Sequence, residues 1–151
     1  MAREQRNHNM EIAKNLILKV FRFLEDQYLL TSCYKVENDP TFIEYLNVEY
    51  VDEIKRRKIR IGYTKGEVYN EIKYTFSSSI TRIPYSGVED YFSLSQYLQS
   101  IGKDFSTSLV NHFDETEAQN ILVQIVTALK EHALDIIDGK KWLESYYPRK
   151  D

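Results

Sequence analysis

Residues 59–76, IRIGYTKGEVYNEIKYTF, decide how the rest of the chain is read. Ile59, Ile61 and Tyr63 point one way, and Lys58, Arg60, Gly62 and Thr64 the other. Further on, Val68, Asn70, Ile72, Tyr74 and Phe76 share a side, opposite Tyr69, Glu71, Lys73 and Thr75. A period of two is the mark of strands with one buried face. The two runs read as a hairpin that turns at Lys65-Gly66, because Gly66 can take a positive φ at no steric cost. The polar side (Arg60, Glu71, Lys73) suits an antiparallel sheet with one wet face.

Working outward, Ile12, Leu16, Ile17, Val20, Phe21, Leu24 and Tyr28 recur at three- and four-residue steps, which predicts a helix from about Asn9, after a frayed stretch over residues 1–8. Leu18 and Phe23 widen its apolar stripe, so a sheet and a second element or second subunit are expected to cover it. A loose strand is expected over 29–36, then a turn at Asn38-Asp39-Pro40. The run 44–51, EYLNVEYV, reads as a strand with Leu46, Val48 and Tyr50 on one face. Ser77 to Ser79 end the hairpin or lie on an edge, and a short edge strand over 80–83 stops at Pro84, which has no N–H to donate.

Ser93 to Gln96 has the spacing of a capping box, with Phe92 and Tyr97 as its hydrophobic staple; a helix is expected from Leu94 to Gly102. Phe105, Leu109, Val110 and Phe113 suggest a further helical turn or two. Asp114 then caps a long helix, with Glu115 and Glu117 at its positive end. Its apolar face runs from Ala118 through Ile121, Leu122, Ile125, Val126, Leu129 and Ala133 to Ile136 and Ile137, and Gly139 stops it. Trp142, Leu143, Tyr146 and Tyr147 read as a last amphipathic turn. The expected fold is therefore α+β: an N-terminal helix, an antiparallel meander of three to five strands, and C-terminal helices packed on one face. At 151 residues it forms one domain, 1–151.

Composition narrows the function classes. Hydrophobic residues at 42% and charged residues at 28% fit a globular protein. No apolar run approaches the roughly 20 residues of a membrane span. The N-terminus lacks the apolar core of a signal peptide. A lone Cys33 rules out an internal disulfide, so a cytoplasmic location is expected. The net charge of −3 argues against general affinity for nucleic acid.

The candidate chemistry is sparse. His112 and Asp114 have the spacing of a base with its orienting carboxylate, but read better as a loop histidine and a helix cap. Cys33, without a histidine to activate it, reads as a small hydrophobe. Three scattered histidines and one cysteine give no metal site, and no phosphate-binding glycine loop occurs. No cofactor is expected. The basic run Lys55-Arg56-Arg57-Lys58-Ile59-Arg60 could follow a phosphate backbone. Glu44, Glu49, Asp52 and Glu53 stand just upstream, however, and a solvated strand entrance with local ion pairs fits better.

What remains is an abundance of tyrosine, 12 in all, set among carboxylates. Tyrosine joins a large ring to a polar tip and is enriched where proteins meet. Glu49, Tyr50, Asp52, Tyr69 and Glu71 are the candidate partner-binding residues. The layout, an amphipathic N-terminal helix, a meander rich in Tyr and Glu, then C-terminal helices, is similar to that of small bacterial immunity proteins of polymorphic toxin systems. The resemblance covers most of the chain and is one of organisation. It implies a non-enzymatic protein that neutralises a toxin, often a basic nuclease, by tight binding over its active site. The alternatives are a small enzyme that uses His112 or Cys33, and a weak nucleic-acid binder through residues 55–60. A homodimer through the first helix, or through residues 142–147, is a further expectation; either segment would equally complete a single core.

Overall fold

Two long strands form the spine. β3 (Arg57–Val68) and β4 (Glu71–Arg82) pair antiparallel over their whole length, from Arg57 opposite Arg82 to Val68 opposite Glu71. In this computed structural model residues 2–103 and 106–142 are described, the first six of them by their backbone alone. The turn between the two strands is Tyr69-Asn70, not Lys65-Gly66. Both turn residues have positive φ, 50° and 66°, as a two-residue turn of the mirror-image type requires. Gly66 lies inside β3 beside the Phe42 ring, where a Cβ would stand 3.5 Å away in ordinary contact.

β2 (Glu44–Asp52) pairs with β3, and β1 (Thr31–Val36) pairs with β2, all antiparallel. On the far side β4 carries two short strands, β5 (Tyr91–Ser93) against Ser79–Thr81 and β6 (Ser108–Val110) against Lys73–Thr75. The sheet is a meander in the order β1-β2-β3-β4-β5, with β6 beside β5 on the same edge. The serines at 77–79 do not end the hairpin; β4 runs through them to Arg82, with Ser78 and Ser79 buried and Ser77 exposed. The stretch read as helical around Leu109 is instead β6. The Leu109, Val110 and Phe113 spacing imitates a helix, yet the outer backbone of β4 takes Ser108–Val110 as a strand. Phe105, part of that expectation, lies outside the described residues.

One face of the sheet is apolar because alternate positions were written so. Leu46, Val48 and Tyr50 of β2, Ile59, Ile61 and Tyr63 of β3, and Tyr74, Phe76 and Ile80 of β4 are all buried. Two helices cover them and touch each other: α1 (Ala2–Val20) and α4 (Glu115–His132). α1 begins at Ala2 rather than near Asn9 and ends at Phe21, after which α2 (Arg22–Asp26) forms a separate turn. Ala13, Ile17, Phe21 and Leu24 fill the space over β2, and Ile121, Leu122, Ile125 and Leu129 the space over β3 and β4. Each such side chain contributes about 1.5–3 kcal/mol on leaving water.

Asp114 caps α4, its Oδ1 accepting the Glu117 amide at 2.9 Å; Glu115 and Glu117 sit in the first turn and Lys130 and His132 in the last, the arrangement the helix dipole favours. The apolar pattern beyond Leu129 does not stay in one helix. Ala133, with φ −129°, breaks it, and α5 (Leu134–Ile137) follows with Ile136 and Ile137 buried. α3 (Leu94–Ser100) starts where the capping pattern placed it and buries Leu94 and Leu98; the Phe92 and Tyr97 rings meet at 5.7 Å as the staple.

The opposite face of the sheet is polar. Asn47, Gly62 and Ser77 form one row across β2, β3 and β4, and Glu49, Arg60 and Ser79 the next. Gly62 is forced by crowding: a Cβ would lie 2.8 Å from Ser77 Oγ and 3.1 Å from Asn47 Oδ1. Among the described residues no helix is long and apolar enough to cross a membrane.

Candidate functional site

The two ends of the β3–β4 hairpin differ in what surrounds them. At one end the chain closes on itself. Arg57 is 5% exposed, because its parity is that of Ile59, Ile61 and Tyr63 and turns it toward the helices. Its guanidinium donates to four backbone carbonyls, Ile136 at 2.6 Å and Lys55, Arg56 and Lys141 at 3.1 Å. Burial, with Arg82 and Arg56 nearby, holds its pKa below the usual arginine value. Arg82 donates to Asp90 at 2.8 Å. The two guanidiniums stand 4.9 and 5.0 Å from the Trp142 ring, while the indole N–H donates to Glu89 O at 2.6 Å. Asp90 also accepts from the Ser86 hydroxyl and amide, and these bonds with Arg82 hold its carboxyl down at about 2. Leu143, Tyr146 and Tyr147 lie outside the described residues.

This accounts for the basic run. Arg56 donates to Ile83 O at 2.6 Å, Lys55 pairs with Asp138 at 2.9 Å, and Lys58 and Arg60 reach Glu49 at 3.6 and 2.9 Å. The five cations diverge onto the turn, the core side and the polar sheet face, each with an acceptor, Lys58 and Arg60 sharing Glu49. They do not line up as a strip for a phosphate backbone.

At the other end nothing closes over the chain. Glu67, Val68, Tyr69, Asn70 and Glu71 are all exposed, Tyr69 at 96%. Two properties mark this tip, the second shared with exposed Leu29 and Arg56 elsewhere in the chain. Its twelve-residue strands, paired over their whole length, support it from behind. Tyr69 also holds φ at 50°, a region in which a bulky side chain is strained by about 1–2 kcal/mol and which glycine or asparagine enters more cheaply. Among the described residues the ring has no packing that would offset this, at 96% exposure. Strain kept without a local return is found where a surface does its work on something else.

The five sequence-derived candidates part company here. Tyr69 and Glu71 meet at the tip, with Glu67 beside them as a residue sequence reasoning passed over. Tyr50 is fully buried against Phe21, ring centroids 6.4 Å apart; its even position turns it to the covered face, so it has no surface to offer a partner. Burial and the Glu25 carboxylate push its hydroxyl well above the usual phenol range. Glu49 is 5% exposed under Arg60, Lys58 and Lys35. Burial works against its ionisation, but those three cations outweigh it and hold the carboxyl below its ordinary value. Asp52 accepts from the amides of Ile54 and Lys55, both at 3.0 Å, and so stitches the β2–β3 turn.

The candidate catalytic residues are likewise dispersed. Cys33 is exposed on β1 at one edge of the sheet, and His112 follows β6 at the other. Asp114 is committed to its cap. Among the described residues no group of three or more His, Cys, Asp or Glu side chains is placed to hold a metal ion. A cavity of about 140 Å³ under α3, lined by Phe76, Ser78, Leu94, Leu98 and Ile125 among others, brings one buried hydroxyl, Ser78 Oγ, to a mostly apolar wall. Compared with known proteins, the chain matches no family model, no curated protein and no solved structure.

Proposed function

We propose that this chain is a non-enzymatic protein-binding module that inserts the β3–β4 tip into a cleft of its partner and works by occlusion. The observation that carries the reading is Tyr69: a ring 96% exposed, held at positive φ on a turn that two long paired strands keep rigid. A turn whose backbone is already held by paired strands loses little backbone entropy on docking, and a tyrosine buried in a pocket is the kind of residue that dominates binding energy. Glu67 and Glu71 stand two residues either side of Tyr69 in sequence, on opposite faces of the hairpin, so a cleft with an apolar floor and a basic rim would complement the tip. A nuclease active site is such a cleft. The reading therefore supports a toxin of that class as the partner, with this chain as its immunity protein in the reducing cytoplasm, where exposed Cys33 stays a thiol.

The test is affinity capture from the native cell, with the product of the neighbouring gene as the first candidate partner. Tyr69→Ala is expected to weaken the complex about 100-fold, the effect of losing a central aromatic anchor. The partner's activity should return in parallel. Ile54→Ala and Tyr85→Ala, exposed apolar residues at the far end of the hairpin, serve as controls that leave binding unchanged. A complex equally tight with Tyr69→Ala would overturn the assignment of the tip.

A further inference from the structure

The two edges of the sheet are finished differently. The outer edge of β4 carries both β5 and β6. The outer edge of β1 carries nothing among the described residues. Proteins ordinarily protect such an edge with proline, a bulge, inward-pointing charge or a covering loop, because its free N–H and C=O groups recruit another strand. The β1 sequence, TSCYKV, has no proline, its ladder with β2 runs without a bulge, and its one charge, Lys35, turns to the polar face toward Glu49. Five of its six residues are exposed, including Tyr34 at 54% and Val36 at 62%. Both of those share the face of Leu46 and Val48, so the apolar layer reaches the edge, where α1 covers it only in part, with Lys14 Nζ 4.5 Å from the Tyr34 ring.

The register identifies what fits. The Glu37 amide donates to Tyr45 O, so the odd residues of this strand bond to β2. By alternation, the amides and carbonyls of Ser32, Tyr34 and Val36 face outward. We propose that this edge pairs with the β1 edge of a second copy of the chain, antiparallel about a twofold axis at Tyr34, to give one continuous sheet. In that register Tyr34 faces its own copy, Ser32 faces Val36, and all three outward residues exchange hydrogen bonds with their counterparts. Lys35 faces Cys33 and not its own copy. Centring on Lys35 would oppose like charges, which destabilises a ladder. Centring on Cys33 would leave Val36 facing Leu30, whose amide is already given to Leu24 O. A strand this short buries less than a permanent interface does, so the dimer forms reversibly with concentration. Antiparallel pairing also points the two Tyr69 tips in opposite directions. The proposal does not depend on what they bind.

Sedimentation equilibrium of the full chain, run from micromolar to near-millimolar concentration, reads the result directly. The expected outcome is a reversible rise toward twice the 17.9 kDa of the chain. Tyr34→Lys sets two like charges at the axis and is expected to weaken association at least tenfold, with the circular dichroism spectrum of the monomer unchanged; Tyr34→Ala, which loses the same Lys14 contact without adding charge, is the control for any change in the monomer's melting temperature. The cysteines supply an independent reading. In the Tyr34 register the two Cys33 residues are diagonal neighbours, about 7–8 Å apart, beyond direct disulfide geometry but within reach of a short bis-maleimide. Cross-linking through Cys33 that Tyr34→Lys suppresses supports the pairing. A chain that stays monomeric throughout, a dimer indifferent to Tyr34→Lys, or ready oxidation to a Cys33–Cys33 disulfide would each overturn it as stated.

Discussion

The hairpin that runs through the molecule is finished at its Arg57–Arg82 end and left open at its Val68–Glu71 end. At the first end a buried guanidinium, a second one paired with Asp90, and the indole between them bring together the β2–β3 turn, the β4–β5 loop and the segment after α5. At the second end an aromatic ring stands in solvent on a turn it strains to occupy. Both ends use residues costly to place. One returns the cost as stability inside the chain. The other has no return inside the chain, and on that ground we assign it to recognition.

The largest expected effect is at the closed end. Arg57→Met leaves four carbonyls without their shared donor and should lower unfolding free energy by about 3 kcal/mol, measured by urea denaturation. A loss below about 1 kcal/mol would mean that this end is no more closed than the other. Trp142→Ala removes the ring between the two guanidiniums and its packing on Phe92; a loss of about 2 kcal/mol is expected by the same measurement. Next is acidity. The Asp90 carboxyl sits at about 2 against an ordinary 3.8. Between those values the unfolded chain binds the extra proton, so stability is fully present above about pH 4 and is lost as pH falls toward 2. Thermal melts across that window should be flatter for Asp90→Asn than for the parent; equal slopes would remove Asp90 from the closed end. The smallest effect is at the tip: Tyr69→Gly should raise stability by about 0.5–1 kcal/mol by releasing the strained φ. If it lowers stability, the ring is held by the fold after all, and the contrast between the ends weakens.

Much of this could be read before any coordinates. The turn was misplaced by four residues, yet the same side chains stayed inside, because an even shift preserves the alternation of Ile59, Ile61 and Tyr63 against Ile72, Tyr74 and Phe76. Gly66 misled because a glycine does not by itself make a turn; here it is a strand position of β3, paired with Lys73. Once the turn was set there, Tyr69 became a mid-strand position on the wet face, so its place at the tip was missed, though Asn70, a residue that enters positive φ readily, was the available signal. Arg57 shows the opposite fault. Its parity with Ile59 was legible and marked it as facing the core, but the surrounding KRRK run drew it into a surface cluster. β6 was unreadable because three residues cannot display a period of two; only the open backbone of β4 makes that segment a strand. The break at Ala133 was hidden for a similar reason, since the apolar spacing passes through it from Leu129 to Ile136.

The indole at the closed end has one more consequence. The chain contains a single tryptophan, and it sits between two cations beside Phe92. Excited at the red edge, where the tyrosines do not absorb, the molecule emits only from that position. It thus carries an intrinsic label whose colour changes when the indole leaves the two guanidiniums and the Phe92 ring.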